Sequence, residues 1–185
     1  NLQMPAAYTK LFTYWFSLII YDLTVEFCQR WIKSYKLSEQ MTGAARSGKQ
    51  NIVEGSEDMS TSLKTAIKLT NIAKGSLEEL LSDYEDFLRQ RNLLIWTKTD
   101  SRVLFWRAKF ARLVRNLSNL RTLGGLRGQL TLPKNPEEAA NLLLTLCHQA
   151  SFLLNKQVQS LIKKHTQEGG FTEKLYHARK TYAHH

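Results

Sequence analysis

Apolar residues recur at three- and four-residue spacing through most of this chain, the period of a helix that buries one face. From about Tyr8 to Tyr35 the periodic positions are Leu11, Trp15, Leu18, Tyr21, Val25, Cys28 and Ile32, which predicts a first helix. Its beginning is apolar nearly all round, since Phe12, Tyr14, Phe16, Ile19 and Ile20 fill the remaining positions. One small core cannot receive all of these, so the segment is either sandwiched inside the bundle or buried against another subunit. A second helix is expected after Ser38, whose hydroxyl can accept from the free amides of a first turn. It runs through Met41, Ala44, Ala45 and Ile52 to a stop at Gly55. Gly43, Ala44, Ala45, Ser47 and Gly48 give it a thin face that lets a neighbouring helix come close.

After the polar stretch from Ser56 to Ser60 a long third helix is predicted to about Arg91, with Leu63, Ile67, Ile72, Leu77, Leu80, Leu81, Tyr84, Phe87 and Leu88 as its apolar positions. A fourth runs from about Asp100 to Leu120 with the stripe Val103, Trp106, Phe110, Leu113, Leu117 and Leu120. Gly124, Gly125, Gly128, Pro133 and Pro136 then mark a flexible joint. The helical pattern restarts with Asn135 as cap, Pro136 at the first helical position and Glu138 in the first turn. This fifth helix carries Leu142, Leu143, Leu146, Ala150, Leu153, Leu154, Leu161 and Ile162 and ends at Gly169 and Gly170, before a short basic segment from Thr172 to Arg179. No stretch shows the alternation of a strand, so the chain reads as all-α.

Composition agrees with that pattern and narrows the partner. Among 185 residues, 43% are apolar, enough for a real core, and only three prolines and nine glycines interrupt the helix formers. Lys and Arg number 26 against 16 Asp and Glu, a net charge of +10, so a polyanion or an acidic protein surface is a fitting partner. Cys28 and Cys147 both stand among apolar residues and read as reduced, buried thiols of a cytoplasmic protein. The apolar run from Leu11 to Tyr21 is far shorter than the roughly 20 residues needed to span a bilayer and lacks a signal-peptide cleavage pattern, so no membrane role is expected.

Candidate chemistry is sparse. The run Gly43-Ala-Ala-Arg-Ser-Gly48-Lys49 fits seven positions of a phosphate-binding loop, but Gln50 stands where Ser or Thr would hold magnesium. No strand precedes the run either, and its amides belong to a helix interior. Glu78, Glu79, Asp83, Glu85 and Asp86 are dense, yet no Glu-x-x-His arrangement accompanies them as a di-iron bundle would require, so either a solvated acidic face or one that pairs with basic residues of another helix or subunit is expected. The five histidines and two cysteines lack metal-ligand spacing. No catalytic residue, cofactor or metal is expected, and the chain reads as no enzyme.

The strongest functional signal lies between Lys98 and Arg127, where Lys98, Arg102, Arg107, Lys109, Arg112, Arg115, Arg121 and Arg127 face a single acid, Asp100. Arginine suits bidentate pairing with phosphate. Arg107, Lys109, Arg112, Arg115, Arg121 and Arg127 are therefore the expected nucleic-acid contacts, with Lys109, Arg112 and Arg115 opposite the apolar stripe. The alternative is a protein-binding oligomeric scaffold whose basic helix is merely solvated, with the apolar first-helix face and the fifth helix recruiting the partner.

The run Gln40-Met-Thr-Gly-Ala-Ala-Arg-Ser-Gly-Lys-Gln-Asn51-Ile-Val-Glu54-Gly55, followed by Gly75-Ser-Leu-Glu-Glu-Leu80, resembles the four-helix bundle family first noted in 23S rRNA intervening sequences. That family also includes the accessory variability determinant of diversity-generating retroelements. The resemblance covers about residues 8–121, and Asn141-Leu-Leu-Leu, Leu153-Leu-Asn and Gly169-Gly-Phe-Thr-Glu173 are similar to a suffix domain carried by some members. It implies an antiparallel up-and-down four-helix bundle over 8–122, a linker over 123–136 and a helical suffix domain over 137–185, giving an additional C-terminal helical segment. It further implies a homo-oligomeric ring, commonly a pentamer, and an accessory protein that binds RNA or DNA and partners a reverse transcriptase. The shared residues Arg46, Ser47, Asn51, Glu54 and Gly55 are expected to hold the end of helix two and subunit contacts rather than a ligand.

Overall fold

The computed structural model describes residues 6–126, 128, 130–169 and 171–182. Its helices are α1 (Phe12–Trp31), α2 (Tyr35–Asp58), α3 (Leu63–Gln90), α4 (Ser101–Leu120), α5 (Pro136–Glu168) and α6 (Phe171–Tyr182), with short 3-10 turns at Ala7–Lys10 and Leu123–Leu126. The fold is all-α, as the apolar period predicts.

Cross-helix pairs set the topology. Cys28 Sγ lies 4.0 Å from Met41 Sδ and Lys49 Nζ lies 4.8 Å from the Tyr21 ring centroid, so α1 and α2 run in opposite directions. Ser47 bonds Ser76 at 2.9 Å, while Gly55 backs onto Leu69 and Thr70, which makes α2 and α3 antiparallel. Lys74 donates to Asn155 and Ser151 to Glu78, each at 3.4 Å, setting α5 antiparallel to α3. Across the diagonal, Thr24 and Tyr84 share a buried hydroxyl pair at 2.7 Å, and Phe27 packs edge-on against Tyr84 and Phe87. The up-and-down bundle therefore consists of α1, α2, α3 and α5.

The first four helices in sequence were expected to close the bundle, but the fourth position is held by α5. The physical reason is visible in the burial of two segments. Residues 13–20 and residues 139–147 are buried at every position, which a helix achieves only when it is covered on both sides. In both cases the inner side meets the bundle and the outer side is covered within this chain. α4 supplies much of that cover, running along the outside from the first turns of α5 to the beginning of α1. Leu142, Leu143, Leu146 and Leu154 of α5 thus lie in one core with Trp15, Ile19, Leu77 and Leu88, on both sides of the segment 123–136. α6 stands apart, and its described side chains are exposed.

Helix boundaries differ from expectation where apolar periodicity carries no stop signal. α1 ends at Trp31, with Ile32 extended, and the N-cap of α2 is Ser34, whose hydroxyl accepts from Leu37 N at 3.3 Å. The expected cap, Ser38, already sits inside α2 with its amide on Ser34 O at 2.9 Å. Nor is Gly55 a stop, since α2 continues to Asp58. Gly48 and Gly55 are points of close approach: a Cβ at Gly48 would stand 2.8 Å from Leu77 Cδ2, and one at Gly55 3.3 Å from Leu69 Cβ. Cys28 and Cys147 are free and buried. Burial pushes the Cys28 thiol up to about 11 and the Cys147 thiol higher still, so both stay protonated.

Candidate nucleic-acid interface

α4 is strapped to the bundle at both ends. Asp100 caps it, accepting from Arg102 N at 2.9 Å, and also binds the Arg102 guanidinium at 2.8 and 3.0 Å. Those bonds hold the Asp100 carboxyl down to about 2. The same guanidinium lies 3.6 Å from the centroid of Trp96. Trp96 in turn fixes the crossing segment between α3 and α4 to the start of α5: its amide donates to Asn141 Oδ1 at 2.8 Å, and Asn141 Nδ2 donates to Leu94 O at 2.8 Å. At the far end Ser118 donates to Lys10 O at 3.0 Å. Val103, Phe110 and Leu117 face inward, as the stripe predicts, and Trp106 and Leu113 are half-buried; Val114, outside that stripe, is buried as well, while Leu120 is exposed.

The structure separates the six expected contacts. Arg107, Lys109, Arg112 and Arg115 are exposed, and among the described residues no carboxylate pairs with any of them. At about 100° per residue, Lys109, Arg112 and Arg115 span roughly 120° of the outer side rather than one line. Lys109 Nζ lies 5.0 Å from the Trp106 ring centroid on one flank. Arg107 and Arg115 lie on the other flank, facing α5. Arg121 has turned away: it ends α4 at φ 52°, is half-buried, and donates from Nε to Thr9 Oγ1 at 3.2 Å. Arg127 lies outside the described residues.

On the α5 flank there is a half-open groove of about 520 Å³. Val103, Val114, Leu144 and Phe16 form its apolar floor, and Phe12, Phe152, Lys98, Arg107 and Arg115 stand at its sides. No Asp or Glu lines it among the described residues. Sequence reasoning found the arginines but not the groove, whose walls come from residues more than a hundred positions apart.

The other candidates resolve as structure. Residues 43–49 lie inside α2, where the amides are already bonded within the helix. In the acidic group of α3, Glu78 takes Lys74 and Ser151, and Asp86 takes Arg89. Burial and the neighbouring Asp86 and Glu79 raise the Asp83 carboxyl. Among the described residues no group of three or more His, Cys, Asp or Glu is placed to hold a metal, and no helix is long and apolar enough to cross a membrane.

The quoted motif residues lie mainly between α2 and α3. Ser47 bonds Ser76, Asn51 Nδ2 donates to Ser47 O at 2.9 Å, and Gly48 and Gly55 admit α3 closely, while Arg46 and Glu54 are exposed. The class defined by this geometry is an all-helical bundle that displays a basic external helix. Residues 13–101, from the second residue of α1 to the first of α4, match the model of the 23S rRNA-intervening sequence protein family. Searches of curated proteins and of solved structures returned no match.

Proposed function

We propose that this protein is a non-enzymatic accessory protein that binds nucleic acid on the outer side of α4. The observation that carries the reading is the set of four exposed cations, Arg107, Lys109, Arg112 and Arg115, with no carboxylate partner among the described residues. Phosphates supply the missing charge, and each contact releases condensed counterions, so binding weakens as salt rises. The family's description, which refers to 23S rRNA, supports a nucleic-acid setting. In this reading the chain assembles as a homo-oligomer, a pentameric ring by the family resemblance, and supports a reverse transcriptase. A ring would present several α4 faces at once and multiply their field.

Electrophoretic retardation of RNA and DNA at low and moderate salt tests the proposal. Wild-type protein is expected to retard both, and Arg112→Glu with Arg115→Glu to abolish retardation without changing the circular dichroism spectrum. Absence of retardation at low salt would refute it. Mass in solution, read with absorbance at 260 nm after a salt wash, tests assembly.

A second reading, a protein-binding scaffold, draws on Leu104 and Phe105, which are 49% and 60% exposed on the same helix. Residues 13–20 of α1 are buried within the chain and offer no such surface. A protein partner retained after nuclease treatment, by a protein that retards no nucleic acid, would favour it.

A further inference from the structure

The groove beside α4 contains more than a phosphate contact needs. Phosphate binding uses cations and N–H donors, yet here two aromatic rings stand exposed next to the arginines: Phe152 is 60% and Phe12 44% exposed, and both line the groove with Arg107 and Arg115. Lys156 Nζ lies 4.6 Å from the Phe152 ring centroid and adds a further cation at that edge. Among the described residues, Gln149 Oε1 is buried without a hydrogen-bond partner, while its Nε2 donates to Arg107 O at 3.1 Å. The volume of about 520 Å³ falls within the usual range for a ligand site, and an apolar floor under a cationic, acid-free rim selects a flat apolar group joined to negative charge.

We infer that this groove takes a single nucleic-acid strand, with a base stacked on Phe152 and the adjoining phosphates on Arg107 and Arg115. The inference rests on the proposed function and names the form of nucleic acid that the site prefers. A duplex keeps its base faces stacked within itself, so Phe152 and Phe12 would meet nothing flat. A single strand exposes those faces, and aromatic stacking beside a basic track is the general means of holding it with little regard to sequence. RNA and DNA strands expose the same base faces and phosphates, and both are included in the test.

Fluorescence anisotropy tests this with labelled strands of about ten nucleotides. The probes are single-stranded RNA, single-stranded DNA, a hairpin duplex of the same composition, and an abasic strand of the same length. Single strands are expected to bind at least about tenfold more tightly than the duplex. Phe152→Ala should weaken their binding by about 5- to 150-fold, the measured span for removing one stacking ring. Phe152→Trp should restore the affinity, and on the abasic strand Phe152→Ala should have no effect. Because Phe152 is exposed, these variants are expected to melt as wild type does. Equal or tighter duplex binding, still lost on Arg112→Glu with Arg115→Glu, would overturn the groove inference while leaving nucleic-acid binding intact. No binding of any probe at low salt would remove both.

Discussion

At the scale of residues, glycines that look alike in sequence do different work. Gly43 and Gly48 both lie in α2, but a Cβ at Gly43 meets nothing within 4 Å, whereas at Gly48 it would stand 2.8 Å from Leu77 Cδ2 and 3.0 Å from Leu77 Cγ. Leu77 is fully buried and has little room to yield. Gly43→Ala should therefore stabilise the protein by about 0.5–1 kcal/mol, the usual gain from replacing glycine within a helix. Gly48→Val should destabilise it by about 2 kcal/mol through overpacking against α3. Urea unfolding of both variants checks the pair, and equal effects would show that α2 and α3 are not held at this spacing. The thin face of α2 was legible in the sequence as a run of small residues. Which glycine takes the contact was not, because that depends on the rotation of α2 against α3.

At the scale of elements, α4 divides its charges between holding and display. Arg102 is committed to Asp100 and Trp96, and Arg121 to Thr9, which leaves Arg107, Lys109, Arg112 and Arg115 for a partner. The slope of affinity against salt counts phosphate contacts, with each lost contact lowering it by about one. Arg112→Gln should reduce that slope by about one and Arg102→Gln should leave it unchanged, measured on one oligonucleotide over a salt series. A similar fall for both would mean that the clamp on Arg102 opens in the complex. The start of α5 was readable because the Asn135-Pro136 pair carries capping chemistry that needs no distant partner. The break after α1 was not, since Ile32 continues the apolar period and neither glycine nor proline marks the turn.

At the scale of the whole molecule, the question is which helices hold one another up. The chain's joint near residues 123–136 was legible from its glycines and prolines, yet a joint in sequence need not separate two cores. Segment 139–147 is buried on every side, as is segment 13–20, and such helices must be covered on two sides. Burying Leu142, Leu143, Leu146 and Leu154 contributes about 1.5–3 kcal/mol each, together comparable with the 5–15 kcal/mol by which a whole domain is stable. Ending the chain after Leu120 should thus remove the cooperative unfolding transition of a monomer, because α1 and α3 lose the helix packed between them. Ending it after Glu168 removes α6, whose described side chains are exposed, and should change stability by less than about 1 kcal/mol. Calorimetry with mass in solution on both shortened chains decides the matter. A folded, cooperative monomer of the shorter one would mean that α4 closes the bundle and that residues 137–185 form a domain of their own.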